Sequence, residues 1–264
     1  MDLQLNGKTA LVSGSTGGIG LAIAERFAAE GAEVIVNGRG KGRVDAAIAE
    51  IHKKSPQAKL RGIAADLGTA EGARQVIKEL PDVDILINNL GMYAPKPFDS
   101  ITDEEWEEIF SVNVMSGIRL SRHYLPKMLK KDWGRVVFIS SESAINIPVE
   151  MIHYGFSKTA QLAISSGLAG LTKGTKVTVN AVLPGPTRSE GVEQFIKDNA
   201  SAQGKEPKDI EDEFFKSMRP SSLLQRFATT GEIANLVAYV ASPLASATNG
   251  AALRVDGGAV RSII

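Results

Sequence analysis

The chain contains no cysteine. A disulfide framework, a thiolate nucleophile and a cysteine-ligated metal are thereby excluded together. Histidine is scarce: His52, His123 and His153 are scattered, with no H-E-x-x-H or paired-ligand spacing, so no metal site is expected. Net charge is missing as well. The 30 Lys and Arg residues balance 30 Asp and Glu residues, for a formal charge of +0. Nucleic acid and anionic membrane, which select for excess positive charge, are therefore not expected as partners. No uncharged apolar run approaches the ~18 residues of a membrane helix. Met1 to Lys8 lacks the basic start and apolar run of a signal peptide, so a cytoplasmic address is expected. No repeat, low-complexity tract or Pro/Gly-rich linker divides the sequence. The 264 residues, 43% of them hydrophobic, are read as one domain, 1–264, large enough for a deep core.

What is present is a rhythm of short apolar runs and helical patterns. Strands are expected at Lys8 to Ser13, Glu33 to Asn37, Leu60 to Ala64 and Ile85 to Asn88. Others are expected at Arg135 to Ser140, Val177 to Val182 and Ala252 to Val255. A helix is expected over Gly18 to Glu30 and a polar one from about Arg43 to Ser55. The strand candidates are continuous apolar runs, as in strands covered on both faces. Strand, helix, strand in succession implies parallel pairing and right-handed crossovers, hence an α/β, Rossmann-like doubly wound parallel sheet. One stretch, Pro184 to Thr229, shows no strand pattern and holds two amphipathic segments, Val192 to Ala200 and Ile210 to Met218. It follows a strand end, where open α/β sheets bind ligands, and is read as a substrate lid over about 186–229.

The first strand runs into Ser13-Gly14-Ser15-Thr16-Gly17-Gly18-Ile19-Gly20, where a helix begins. Glycines there let the backbone approach a pyrophosphate, and the helix N-terminus offers free N–H groups and a positive dipole end. The second strand ends Val36-Asn37-Gly38-Arg39, with no acid to hold a ribose 2′-hydroxyl and an arginine able to pair with a 2′-phosphate. NADP(H) is therefore favoured over NAD(H). Further along, Tyr154-Gly155-Phe156-Ser157-Lys158 sets a phenol and an amine four apart on one helix face. A nearby ammonium favours the phenolate, so Tyr154 can give a proton to a carbonyl oxygen or take one from an alcohol.

These motifs, from Gly7 to Gly258, resemble the short-chain dehydrogenase/reductase family, whose T-G-x-x-x-G-x-G loop appears here with Ser13 in place of Thr. The resemblance implies cofactor contacts along Gly14 to Gly20 and at Asp66 and Leu67 near the adenine. It implies further contacts at Asn89 and Gly91 of Asn88-Asn89-Leu90-Gly91, and at Pro184, Gly185 and Thr187. The position before the second motif glycine, basic in many NADP-preferring members, is Gly17. The resemblance also implies that Ser141, thirteen residues before Tyr154, steadies the substrate oxygen. Asn113 anchors a water-linked proton relay, and Lys158 also holds the nicotinamide ribose. The implied activity is carbonyl–alcohol interconversion on a small-molecule substrate, by a homotetramer or homodimer assembled through long helices at about Glu104 to Lys131 and Met151 to Thr172. Ser143, Ile145, Pro148, Met151, Phe195, Phe214 and Met218 are candidate substrate-pocket residues of apolar character. A 3-oxoacyl-(acyl-carrier-protein) reductase is the second reading, since the carrier-docking arginines would fall on Asp132 and Thr175. A catalytically silent NADP(H)-binding sensor is the reading of another class.

Overall fold

The computed structural model describes residues 2–263. In chain order its main elements are β1 (Thr9–Val12), α1 (Gly18–Ala29), β2 (Glu33–Gly38), α2 (Lys41–Lys54), β3 (Lys59–Ala64), α3 (Ala70–Glu79) and β4 (Ile85–Asn88). Then come α4 (Asp103–Phe110), α5 (Ser116–Lys131), β5 (Gly134–Ile139), α6 (Ile152–Gly170) and β6 (Val177–Pro184). The chain closes with β7 (Thr187–Arg188), α7 (Glu190–Gln203), α8 (Pro207–Ser217), β8 (Ala228–Thr229), α9 (Thr230–Val240) and β9 (Ala252–Val255). Seven strands form one parallel sheet in the order β3-β2-β1-β4-β5-β6-β9. The order reverses between β1 and β4, so the helices that follow these strands lie on opposite faces and leave a crevice at the strands' carboxyl ends.

The pleat sorts the apolar residues into two cores. Ala10, Val12, Val34, Val36, Ile85 and Ile87 face α1, α2 and α9. Their neighbours Leu11, Ile35 and Leu86 face α3, α5 and α6. Both faces are covered at the centre, as continuous apolar runs predict. At the two edges they are not: in β3, Lys59, Arg61 and Gly62 are exposed, and β9 alternates between exposed and half-buried positions.

Two departures from the expected pattern bear on the site. The helix expected from about Glu104 to Lys131 is broken by a π turn, Ser111–Met115, between α4 and α5. The 186–229 excursion is not strand-free: β7 and β8 pair in parallel, Thr187 with Ala228 and Arg188 with Thr229. Two residues are too short to display any hydrophobic period. Between them α7 and α8 close over a small core of Ile196, Ala200, Ile210, Phe215 and Phe227.

Candidate active site

The phosphate loop is built by close approach. A side chain at Gly20 would put its Cβ 2.5 Å from the Asn89 amide nitrogen, and that amide donates to the carbonyls of Ser13 (2.9 Å) and Gly14 (3.1 Å). Ser13 keeps the role of a hydroxyl at this position: its Oγ donates to the Ile87 carbonyl (3.1 Å) and accepts from the N–H groups of Asn89 (2.9 Å) and Leu90 (3.0 Å). Ser15 is spent internally, donating to Val12 and accepting from the Asn37 N–H, and Ile19 packs on the first core. What remains open is the start of α1. Its N-cap, Gly17, supplies no capping side chain, and its first turn holds no acid. These unpaired N–H groups fit a pyrophosphate.

At the end of β2, a Cβ on Gly38 would lie 2.5 Å from Thr16 Cγ2. An acid at position 38 could not be seated without displacing Thr16. Arg39 next to it is exposed and forms no ion pair among the described residues. Arg43, in the first turn of α2, brings its guanidinium to 3.5 Å from the Cβ position of Gly17, and the Glu190 carboxylate of α7 reaches the same point at 3.5 Å. Arg43 went unnoticed in the sequence. The signal was there, since it stands four residues after Arg39, but the contact depends on how α2 crosses the loop. Asp66 is exposed and accepts from the Gly68 N–H (2.9 Å); the Leu67 side chain is committed to the second core, leaving only its backbone for a ligand.

The four candidate catalytic residues converge at the carboxyl end of β5. Ser141 follows β5 and caps a short 3-10 turn, accepting from the Ser143 N–H (3.1 Å). Tyr154 and Lys158 sit on α6, with Lys158 Nζ 5.6 Å from the Tyr154 ring centroid. Lys158 is buried and donates to the Ile139 carbonyl (2.9 Å). Asn113, in the π turn, accepts from the Met92 N–H (2.8 Å) and donates to the Met92 carbonyl and to Ser157 Oγ (both 2.9 Å). It thus ties the loop after β4 to α6. Gly91 lies at the centre of this group, its Cβ position 3.4 Å from Lys158 Nζ and 3.6 Å from Asn113 Oδ1. π turns recur at functional sites because the inserted residue re-aims its neighbours.

Burial decides the electrostatics. It pushes the Tyr154 phenol up to about 12, offset in part by a hydrogen bond from Ser141 and reinforced by the Glu142 carboxylate. The same burial lowers Lys158 to about 7. The lowering of Tyr154 by a nearby ammonium, expected from the sequence, is outweighed here. A lysine at about 7 is only half charged at neutral pH, so it offsets little of the desolvation of the phenol.

Above the site, the buried Glu142 accepts from Arg219 Nε (2.9 Å), and Arg219 also reaches Glu150 (3.4 Å). Arg219 follows α8, so this charge cluster fastens the 186–229 excursion to the residue after Ser141. Thr187 Oγ1 donates to the Gly185 carbonyl (2.9 Å), and Gly185 packs against Asp256, so Pro184 to Thr187 form a fixed shelf beside the crevice. Of the candidate pocket residues, Ile145, Phe195 and Met218 are exposed. Ser143 is buried, and Phe214 stacks on Phe227 within the excursion's own small core. His153 packs edge-on against Trp106 at 5.8 Å, a core role, and no group of three His, Cys, Asp or Glu residues able to hold a metal occurs among the described residues. No helix among the described residues is long and apolar enough to cross a membrane.

The sequence pattern of the short chain dehydrogenase family matches residues 8–200. The chain is 50% identical over 263 residues to the uncharacterized oxidoreductase YvaG of Bacillus subtilis (strain 168), covering 100% of both chains. It is 33% identical to a D-beta-hydroxybutyrate dehydrogenase of Cupriavidus necator over 97% of this chain and 98% of that one. Its fold superposes, with a TM-score of 0.91 and 29% identity over 100% of both chains, on L-sorbose reductase from Gluconobacter frateurii complexed with NADPH and L-sorbose.

Proposed function

The chain belongs to the short-chain dehydrogenase/reductase family, and from that premise we propose that it is an NADP(H)-dependent oxidoreductase acting on a carbonyl/alcohol pair. The observation that carries the reading is the convergence of Asn113, Ser141, Tyr154 and Lys158 beside an uncapped helix N-terminus. When bound, the nicotinamide supplies or accepts the hydride. Pyrophosphate would rest on the backbone of Gly14 to Gly20 at the start of α1, with Pro184, Gly185 and Thr187 bordering the nicotinamide end. Ser141 Oγ donates a hydrogen bond to the substrate oxygen as negative charge builds on it. Tyr154 Oη delivers a proton to that oxygen in reduction and removes it in oxidation. A phenol raised to about 12 is held protonated at neutral pH, the form that reduction requires. Lys158 orients the reacting end from below, and Asn113 holds the loop after β4 against α6.

The preference for NADP(H) is supported by the absence of an acid at the end of β2, where Gly38 stands against Thr16, and by two arginines, Arg39 directly after β2 and Arg43, whose guanidinium approaches the phosphate loop. The L-sorbose reductase neighbour, which binds NADPH, favours the same cofactor. A small to medium, largely apolar ketone or secondary alcohol is supported by the exposed Ile145, Ile147, Val149 and Met218 around the crevice, with residues 186–229 acting as the lid. The carrier-protein reductase reading takes second place. At its docking positions Asp132 is ion-paired with Lys176, and Thr175 donates to the Thr172 carbonyl, so neither offers a cation to an acidic carrier. A homotetramer or homodimer is supported by an exposed aromatic strip in which Phe110 of α4 stacks on Phe156 of α6.

Titration with NADPH and NADH, followed by a carbonyl panel read as loss of reduced-nicotinamide absorbance, tests the reading. NADPH should bind at least tenfold more tightly, and at least one ketone should turn over. Preference for NADH would remove the role of Arg39 and Arg43, and failure to bind either nucleotide would overturn the assignment.

A further inference from the structure

On α6 Tyr154, Ser157, Lys158 and Gln161 fall at helical spacings of three and four and share one face, and the last three of them are buried. Gln161 is 2% exposed. Its Oε1 accepts from Lys158 Nζ at 3.3 Å, and its Nε2 donates to the backbone carbonyl of Asn113 at 2.6 Å. Asn113 belongs to the π turn, where the widened backbone presents this carbonyl to α6. Family resemblance implies a water-linked relay at Asn113, but here the Asn113 carbonyl is already engaged by a side-chain amide.

We propose that Gln161 is a positioning residue that clamps the Lys158 amine to the Asn113 turn and so fixes the reacting end of Tyr154. This rests on the oxidoreductase reading above and deepens it. The amide is bound in only one sense. Flipping it would set its NH2 against the ammonium and its oxygen against the Asn113 carbonyl, both repulsive, so the hydrogen-bond network fixes its orientation. A neutral amide has no labile proton to pass on cheaply, so Gln161 holds rather than relays. Lys158 Nζ donates to two acceptors, Ile139 O and Gln161 Oε1, and has no carboxylate partner within ion-pair distance among the described residues. The Tyr154 ring is a further neighbour of the amine, and Gly91 lies between it and Asn113 Oδ1. Gln161 Oε1 is therefore one of the two acceptors that hold the Lys158 amine.

The test follows the ε-methylene signal of Lys158 by NMR in the intact, 13C-lysine-labelled chain, identified by its loss in Lys158→Met. Gln161→Met keeps the volume and removes the acceptor, so the titration midpoint of Lys158 should fall by about half a pH unit or more. Gln161→Glu keeps the acceptor and adds charge beside the amine, so the midpoint should rise by about one pH unit or more. In turnover, Gln161→Met should lower kcat about tenfold while the substrate KM moves less than about threefold, because the lost interaction acts on the reacting group. An unchanged Lys158 midpoint in both variants, or a kcat within about twofold of wild type in Gln161→Met, overturns the proposal. If Gln161→Met does not fold, the rise or absence of a rise in Gln161→Glu decides alone. A wild-type chain that reduces no carbonyl would sink the proposed function, while the titration would still decide the role of Gln161.

Discussion

Replacing Lys158 with methionine should change the pH dependence of folding in a calculable way. Burial holds this amine at about 7 in the folded chain, against 10.5 for an ordinary lysine. The difference, about 3.5 pH units, corresponds at ~1.4 kcal/mol per unit to about 5 kcal/mol. The sign follows from which state binds more protons. Between pH 7 and 10.5 the unfolded chain keeps a proton that the folded chain has lost, so wild-type stability rises with pH. Below pH 7 the full desolvation penalty applies. Methionine carries no such penalty at any pH, though it leaves the Ile139 and Gln161 acceptors unpaired, a cost of roughly 1–3 kcal/mol each that does not vary with pH. Urea unfolding of both proteins without nucleotide, from pH 6 to pH 10, isolates the varying part. Wild type should gain on Lys158→Met by about 4 kcal/mol over that range. A gain below about 1 kcal/mol would mean that the amine is solvated in the folded chain and would refute the burial argument.

Three further outcomes are expected. Arg39→Ala combined with Arg43→Ala should weaken NADPH binding by about ten- to a hundredfold and leave NADH nearly unchanged, since charge-assisted hydrogen bonds are worth ~1.5–3 kcal/mol; equal losses for both nucleotides in a fluorescence titration would contradict the 2′-phosphate role. Arg219→Ala strands the buried Glu142 and should cost about 3–5 kcal/mol at pH 8. Because burial already raises the Glu142 carboxyl, that variant should regain stability as the pH falls toward 5, and Glu142→Gln in the same background should recover much of the loss in thermal melts. Phe156→Ser, which breaks the exposed stack with Phe110, should shift the chain toward smaller species in sedimentation if this strip is an assembly face.

Much of the fold was legible because its strands are short, largely apolar runs set between helical patterns. The runs at Ile85 to Asn88 and Val177 to Val182 are largely apolar, interrupted by Asn88, Thr178 and Asn180, and match the observed strands to within two residues. The edge strands were legible too: Leu60 to Ala64 and Ala252 to Val255 match β3 and β9 to within one residue, although one face of β3 meets solvent. The π turn at Asn113 left no periodic trace, since one inserted residue shifts the helical phase too little to be read from side-chain character. The candidate site was legible where chemistry fixes spacing, as for Tyr154 and Lys158 on one helix face. It was not legible where the partner is distant in sequence. Arg43 reaches the phosphate loop 26 positions before it, Arg219 reaches Glu142 across 77 positions and Gln161 reaches Asn113 across 48. Such contacts depend on helix crossings that no local pattern encodes.

The central claim is that Tyr154 moves the proton while the nicotinamide moves the hydride. The direct measurement is carbonyl reduction by Tyr154→Phe, with NADPH affinity measured on the same preparation. The account predicts nucleotide binding within about threefold of wild type and turnover reduced by about a thousandfold or more, in the range that general acid catalysis supplies. Turnover equal to wild type would contradict it.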